Sequence, residues 1–93
     1  MSKTAPRVLT EQAAIERLKD LQAALDSEIV IEVHLHDGTT LTGTVVERPA
    51  ILQFIDAHGN EGTNGVLPLD VGDTHVHMIW LDEVDRFIRL GTC

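Results

Sequence analysis

Four of the five histidines fall in two His-x-His pairs, His34/His36 and His75/His77. On a β-strand, positions i and i+2 project from the same face, so each pair would present two imidazoles to one metal ion. A closed zinc-type site takes about four ligands, so either pair is half a site unless the two strands meet. Both pairs alternate with apolar residues, which predicts that they face outward, where neutral-range imidazoles make a surface pH-sensitive. His58, two residues after Asp56, has a spacing suited to acid–base work. It lies in a run rich in Gly and Asn, where a turn role is the simpler reading. The acids Asp82, Glu83 and Asp85 would hold a hard cation only if their oxygens converged; on a short turn they are solvated.

The nucleophile inventory argues against covalent catalysis. Residues 28–92 contain no Ser, Cys, Tyr or Lys, so threonine, histidine and carboxylate are what remain there. Neither GxGxxG nor GxxxxGKS/T, the phosphate-cradling loops, occurs. No residue is therefore assigned a catalytic, cofactor-binding or metal-binding role, and an enzyme is not expected. The single cysteine is the last residue, Cys93, so no internal disulfide is expected. With no signal-peptide core in MSKTAPRV and no apolar run near the roughly 20 residues of a membrane span, the expectation is a cytoplasmic protein without a membrane partner.

The charge is unevenly placed. Residues 1–27 hold four bases and four acids, whereas residues 28–93 hold Arg48, Arg86 and Arg89 against eleven acids, which is the entire net charge of −8. Such a surface repels phosphate backbones at long range and favours solubility.

The elements that must position these residues can be read from periodicity. Ala14, Leu18, Leu21 and Leu25 form one apolar stripe, predicting a helix over residues 10–26 with Thr10 as N-cap. Over residues 32–46 (EVHLHDGTTLTGTVV), alternation on both sides of Asp37-Gly38 predicts an antiparallel hairpin, with Gly43 permitting a bend in its second strand. A break at residues 47–50 precedes a third strand near residues 51–56. Residues 56–65 (DAHGNEGTNG) read as a loop or hairpin tip, and Pro68 demotes residues 66–71 to an edge strand or irregular segment. Strands at residues 75–81 and 84–90 follow, joined by a short acidic turn. The domain reading is a flexible tail over residues 1–9 and one domain over residues 10–93, with helix 10–26 and barrel 28–91.

The order helix, VxLxDGxxLxGxV (Val33 to Val45), then the terminal pair WLDEVDRFIRL resembles the Sm-like barrel. Arg48-Pro49, Gln53, Phe54, Asp56, Gly59, Glu61-Gly62, Asn64 and Trp80-Leu81-Asp82 are together similar to a small family of uncharacterised bacterial proteins, a domain of unknown function. The resemblance implies a mostly β fold with one N-terminal helix, a strongly bent five-stranded antiparallel barrel. It also implies self-association across the last two strands. Sm-type RNA binders hold a base with an Asp and an Asn four residues apart just after the second strand, and the matching stretch, residues 48–52, has no such pair. Their Arg-Gly-Asp-like turn is replaced here by Leu81-Asp82-Glu83-Val84.

The expectations that follow are concrete. Val33, Leu35, Leu41, Val45, Val76, Met78, Trp80, Ile88 and Leu90 should be buried, with the paired histidines outside. The protein is expected to be a non-catalytic interaction or assembly module, a homo-oligomer (dimer or ring) or a partner of another protein. His75, His77, Ile79, Phe87 and Arg89 are the candidate interface. A divergent RNA binder using Arg48, Arg86 and Arg89 is the alternative, disfavoured by acidity. A His/carboxylate metal-binding protein is the second alternative.

Overall fold

The apolar stripe does form the one α-helix, α1 (Gln12–Ala24), in a computed structural model that describes residues 3–92. Leu18, Leu21 and Leu25 are buried on the core. The N-cap position is Glu11, not Thr10, and no side chain caps the helix. Cys93 lies outside the described residues.

Seven strands make up the sheet: β1 (Lys3–Thr4), β2 (Ile29–Leu35), β3 (Thr40–Val45), β4 (Ala50–Ile55), β5 (Glu61–Asp70), β6 (Val76–Trp80) and β7 (Val84–Thr92). The hairpin at Asp37-Gly38 joins β2 to β3 with Val33 opposite Leu41. Asp37 Oδ1 accepts the Thr39 N–H, and Gly38 takes the positive φ of +92° that the turn needs. The strand path runs β1-β4-β5-β3-β2-β7, with β6 on the other edge of β5. At Val66 the partners are Ala50 and Trp80, and at Leu69 they are Val45 and His77. Thus β3 and β4 follow one another along a single edge of β5, interrupted at residues 46–49, while β6 lies on the opposite edge.

The expected five-stranded antiparallel barrel is thereby corrected to a bent, open sheet of seven strands among the described residues, whose ends β6 and β7 do not pair. Two further corrections concern residues 56–71. Only Asp56–Asn60 is a turn; residues 61–70 form the longest strand, buried along most of its length. Its glycines serve close packing rather than a loop: a Cβ on Gly65 would stand 2.4 Å from Leu81 Cδ1. Pro68 is tolerated inside this strand because its carbonyl accepts from Val46 N at 3.0 Å. Its nitrogen therefore faces that same edge, at the break between β3 and β4, where no ladder bond is lost.

From Lys3 onward, the segment expected as a tail belongs to the sheet. β1 lies parallel to β4, Ala5 N donates to Ile55 O, and Leu9 pairs with Thr63 on the far edge of β5. To connect those two edges, residues 5–9 cross the outer face of the sheet. Arg7 O accepts from Asn64 Nδ2 beneath this strap, and a Cβ on Gly62 would meet Val8 and Leu9 within 3 Å. The opposite face, carrying Ile31, Val33, Val45, Leu67, Leu69 and Ile79, closes over the helix stripe as the core.

Candidate interaction surface

The register of the last two strands decides what the surface offers. Leu67 pairs with Ile79 and Pro68 with Met78, so the inward residue of β6 is Ile79, only 6% exposed. Val76 and Met78 point outward, and Trp80 is half-buried on the outer face, edge-on to Phe54 at 5.2 Å. On β7, Phe87 packs against the core while Ile88 and Leu90 are exposed. The expected burial of Val76, Met78, Ile88 and Leu90 is thus reversed, and Ile79 and Phe87 leave the candidate interface. Both faces of β6 are apolar, and alternation alone does not say which one turns inward; the inner positions Leu67 and Leu69 of β5 decide it. Val33 and Val45 are buried as expected, and Leu35 and Leu41 are half-buried against the core.

Of the six exposed large hydrophobics among the described residues, four (Val76, Met78, Ile88 and Leu90) sit on β6 and β7. Among the described residues each of these strands has one unpaired edge: β6 pairs only with β5, and β7 only with β2. His75 and Arg89 are exposed beside them, and His77 is half-buried with its Nε2 2.8 Å from Asp73 Oδ2. Next to the strap, a depression of about 170 Å³ runs over the outer face between Lys3, Leu52, Val66, Pro68 and Met78.

The histidine pairs are engaged separately. His34 meets Glu32 at 2.8 Å and Thr40 at 3.3 Å, and His36 lies 3.7 Å from Asp85. No group of three or more His, Cys, Asp or Glu side chains able to hold a metal ion occurs among the described residues.

The three arginines do not form a common patch. Arg48 is ion-paired with Asp26. Arg86 stands opposite His34 and Arg89 opposite Ile31, so strand alternation turns them to opposite faces. An Asp/Asn pair four residues apart does exist, but one strand later than the sequence match suggests, at Asp56 and Asn60 after β4. The pair is turned on itself: Asp56 Oδ1 accepts the N–H groups of His58 and Asn60, and Oδ2 accepts Asn60 Nδ2. Those bonds, led by the Asn60 N–H, hold the Asp56 carboxyl below its ordinary range. His58 takes part through its backbone, as a turn residue.

A cleft of about 510 Å³ lies between the strap, α1, the β2–β3 turn and the 3-10 turn Leu81–Glu83, over a floor of Leu9, Ala14 and Leu18. Its cations are already engaged. Arg7 grips both oxygens of Asp82 at 2.5 and 3.0 Å, a bond that raises the Arg7 pKa further. Arg17 donates to the carbonyls of Val84 and Asp85. The cleft thus reads as a clamp holding strap and helix to the start of β7.

A single N-terminal helix on an open, sharply bent sheet in this strand order defines a small Sm-like β protein. A family model described as a domain of unknown function (DUF3247) matches residues 2–90, and the chain belongs to that family. It is also similar to XC5848 from Xanthomonas campestris, whose crystal structure is described as adopting a novel variant of the Sm-like motif. The two are 37% identical, with a TM-score of 0.87 over 95% of this chain and 97% of that chain. No curated protein matches. No helix among the described residues is long and apolar enough to cross a membrane.

Proposed function

We propose that this protein is a non-catalytic assembly module that joins copies of itself by strand addition, the outer edge of β6 in one copy taking the outer edge of β7 in the next. The observation that carries this reading is the coincidence of unpaired edges with the exposed Val76, Met78, Ile88 and Leu90. Unpaired edges are templates for another strand, and soluble proteins normally blunt them with charge. β6 carries none: its sequence is VHMIW. Exposed Arg86 and Arg89 lie on β7 and exposed Asp70 and Asp73 lie just before β6, which gives the two edges opposite charge in otherwise acidic chains. Light scattering on the purified chain tests this. The expected species is a multiple of 10.2 kDa, reduced to the monomer by Met78→Glu combined with Ile88→Glu. A strict monomer at high micromolar concentration overturns the reading.

The alternative, a divergent RNA binder, is supported by Arg86 and Arg89, which are exposed and enter no salt bridge among the described residues. With few cations on an acidic body, little counterion release is available, and affinity for uridine-rich or adenine-rich RNA is expected to be weaker than about 10 μM at physiological salt. Fluorescence anisotropy over a salt series measures it. Submicromolar binding weakened by Arg86→Ala would put this reading first.

A further inference from the structure

Asn64 is followed by Gly65. An Asn-Gly step is intrinsically the most prone to deamidation, because glycine leaves the attacking backbone nitrogen unhindered. In this fold the step lies in the middle of β5, not in a loop, and Asn64 is 0% exposed. Gly65 N donates to Asn64 Oδ1 at 2.8 Å, and Asn64 Nδ2 donates to Arg7 O in the strap at 3.0 Å.

We infer that Asn64-Gly65 is a latent self-modification site, kept unreactive by the N-terminal strap and released when the strap lifts. In the reaction, the Gly65 nitrogen gives its proton to solvent base and bonds to Asn64 Cγ. The Cγ–Nδ2 bond breaks, and the departing nitrogen takes up a proton from solvent and leaves as ammonia. Water then opens the resulting five-membered imide at either carbonyl, giving aspartate or isoaspartate at position 64. No oxidant or reductant takes part.

Each element of the folded site opposes the first step. The Gly65 hydrogen is committed to Oδ1, and that bond must break before the nitrogen can lose its proton and attack Cγ. The departing nitrogen is tied to Arg7 O. The pairings of Leu52 with Asn64 and Ile51 with Gly65 hold the backbone extended, and neither solvent base nor water reaches a fully buried amide. Lifting residues 5–9 removes the cover and the Arg7 tie together. The change is one-way: a carboxylate at position 64 would set acceptor against acceptor at Arg7 O, and isoaspartate would add a main-chain atom and slip the β5 register. An opening of the strap, reversible in itself, would become permanent.

The test compares the intact chain in mildly alkaline buffer, native and in urea, with natively folded Arg7→Ala and Asp82→Asn, both of which weaken the tie between the strap and the 3-10 turn. Peptide mapping by mass spectrometry follows the exchange of amide for acid at Asn64. A buried group reacts only through opening, so the denatured chain should react at least about tenfold faster than the native one. Both variants should fall between these limits. Circular dichroism checks folding, and if Arg7→Ala does not fold, Asp82→Asn alone decides. Equal rates in native and denatured chains, an unmodified Asn64 in urea, or a folded variant no faster than the parent would each overturn the inference.

Discussion

The side-chain amide of Asn64, wholly buried in β5, donates to the backbone carbonyl of Arg7 at 3.0 Å. The same residue, Arg7, reaches on to Asp82 with its guanidinium, so one strap residue is tied both to the sheet and to the turn before β7. Truncation by Asn64→Ala leaves Arg7 O and Gly65 N without partners. Chemical denaturation should show a loss of about 1–3 kcal/mol, the cost of orphaning buried polar groups.

Ile79 and Met78 are neighbours with opposite fates, one 6% and the other 64% exposed. Ile79→Ala should cost about 2–5 kcal/mol, as for other large-to-small core changes. Met78→Ala should stay within about 0.5 kcal/mol, the usual range for surface sites. Equal effects in thermal or urea unfolding would mean that the register of β6 is wrong.

Gly43 lies where β3 meets the end of β5, and a Cβ there would stand 2.4 Å from Asp70 O. Backbone cannot step aside as a side chain can. Gly43→Ala should therefore destabilise by about 1–3 kcal/mol, in the range of overpacked cores. A melting curve unchanged from the parent would contradict the close approach.

The Asp56–Asn60 turn should respond to acid. The folded carboxyl of Asp56 is held below the ordinary aspartate range, chiefly because the Asn60 N–H bonds to its ionised form. A depressed carboxylate stabilises the fold fully above the unfolded value, and the contribution disappears as pH falls through the lower, folded value. The amide resonances of His58 and Asn60 should hold steady down to about pH 4 and shift together below it. Asp56→Asn should abolish that step.

Much of this structure was legible in the residues. The helix stripe, the Asp37-Gly38 hairpin and the outward histidines of β2 follow from periodicity and turn chemistry alone, because each is a local signal. The register of β6 and β7 was not legible, since Val76, Met78 and Trp80 outweigh Ile79 in any count of apolar residues. Only contact with Leu67 on β5 shows which side is the core. The Gly/Asn-rich run misled for a similar reason. Gly62 and Gly65 make room for Val8 and Leu81, neighbours distant in sequence, and nothing in a local window separates such glycines from those of a turn. Nor could the strap be foreseen, because residues 3–9 have no periodicity and their partners lie in β4, β5 and the turn at Asp82.

The strap also sets an order of events. Its ties span 57 residues to Asn64 and 75 to Asp82, so they are the longest-range kind of contact and form only once their targets exist. Residues 3–9 are synthesised before β5 and the turn after β6, yet they must wait for both before they can dock. A segment made before its partners therefore finds its place only after them. The surface it finally covers, Gly62 and Asn64, is bare until then.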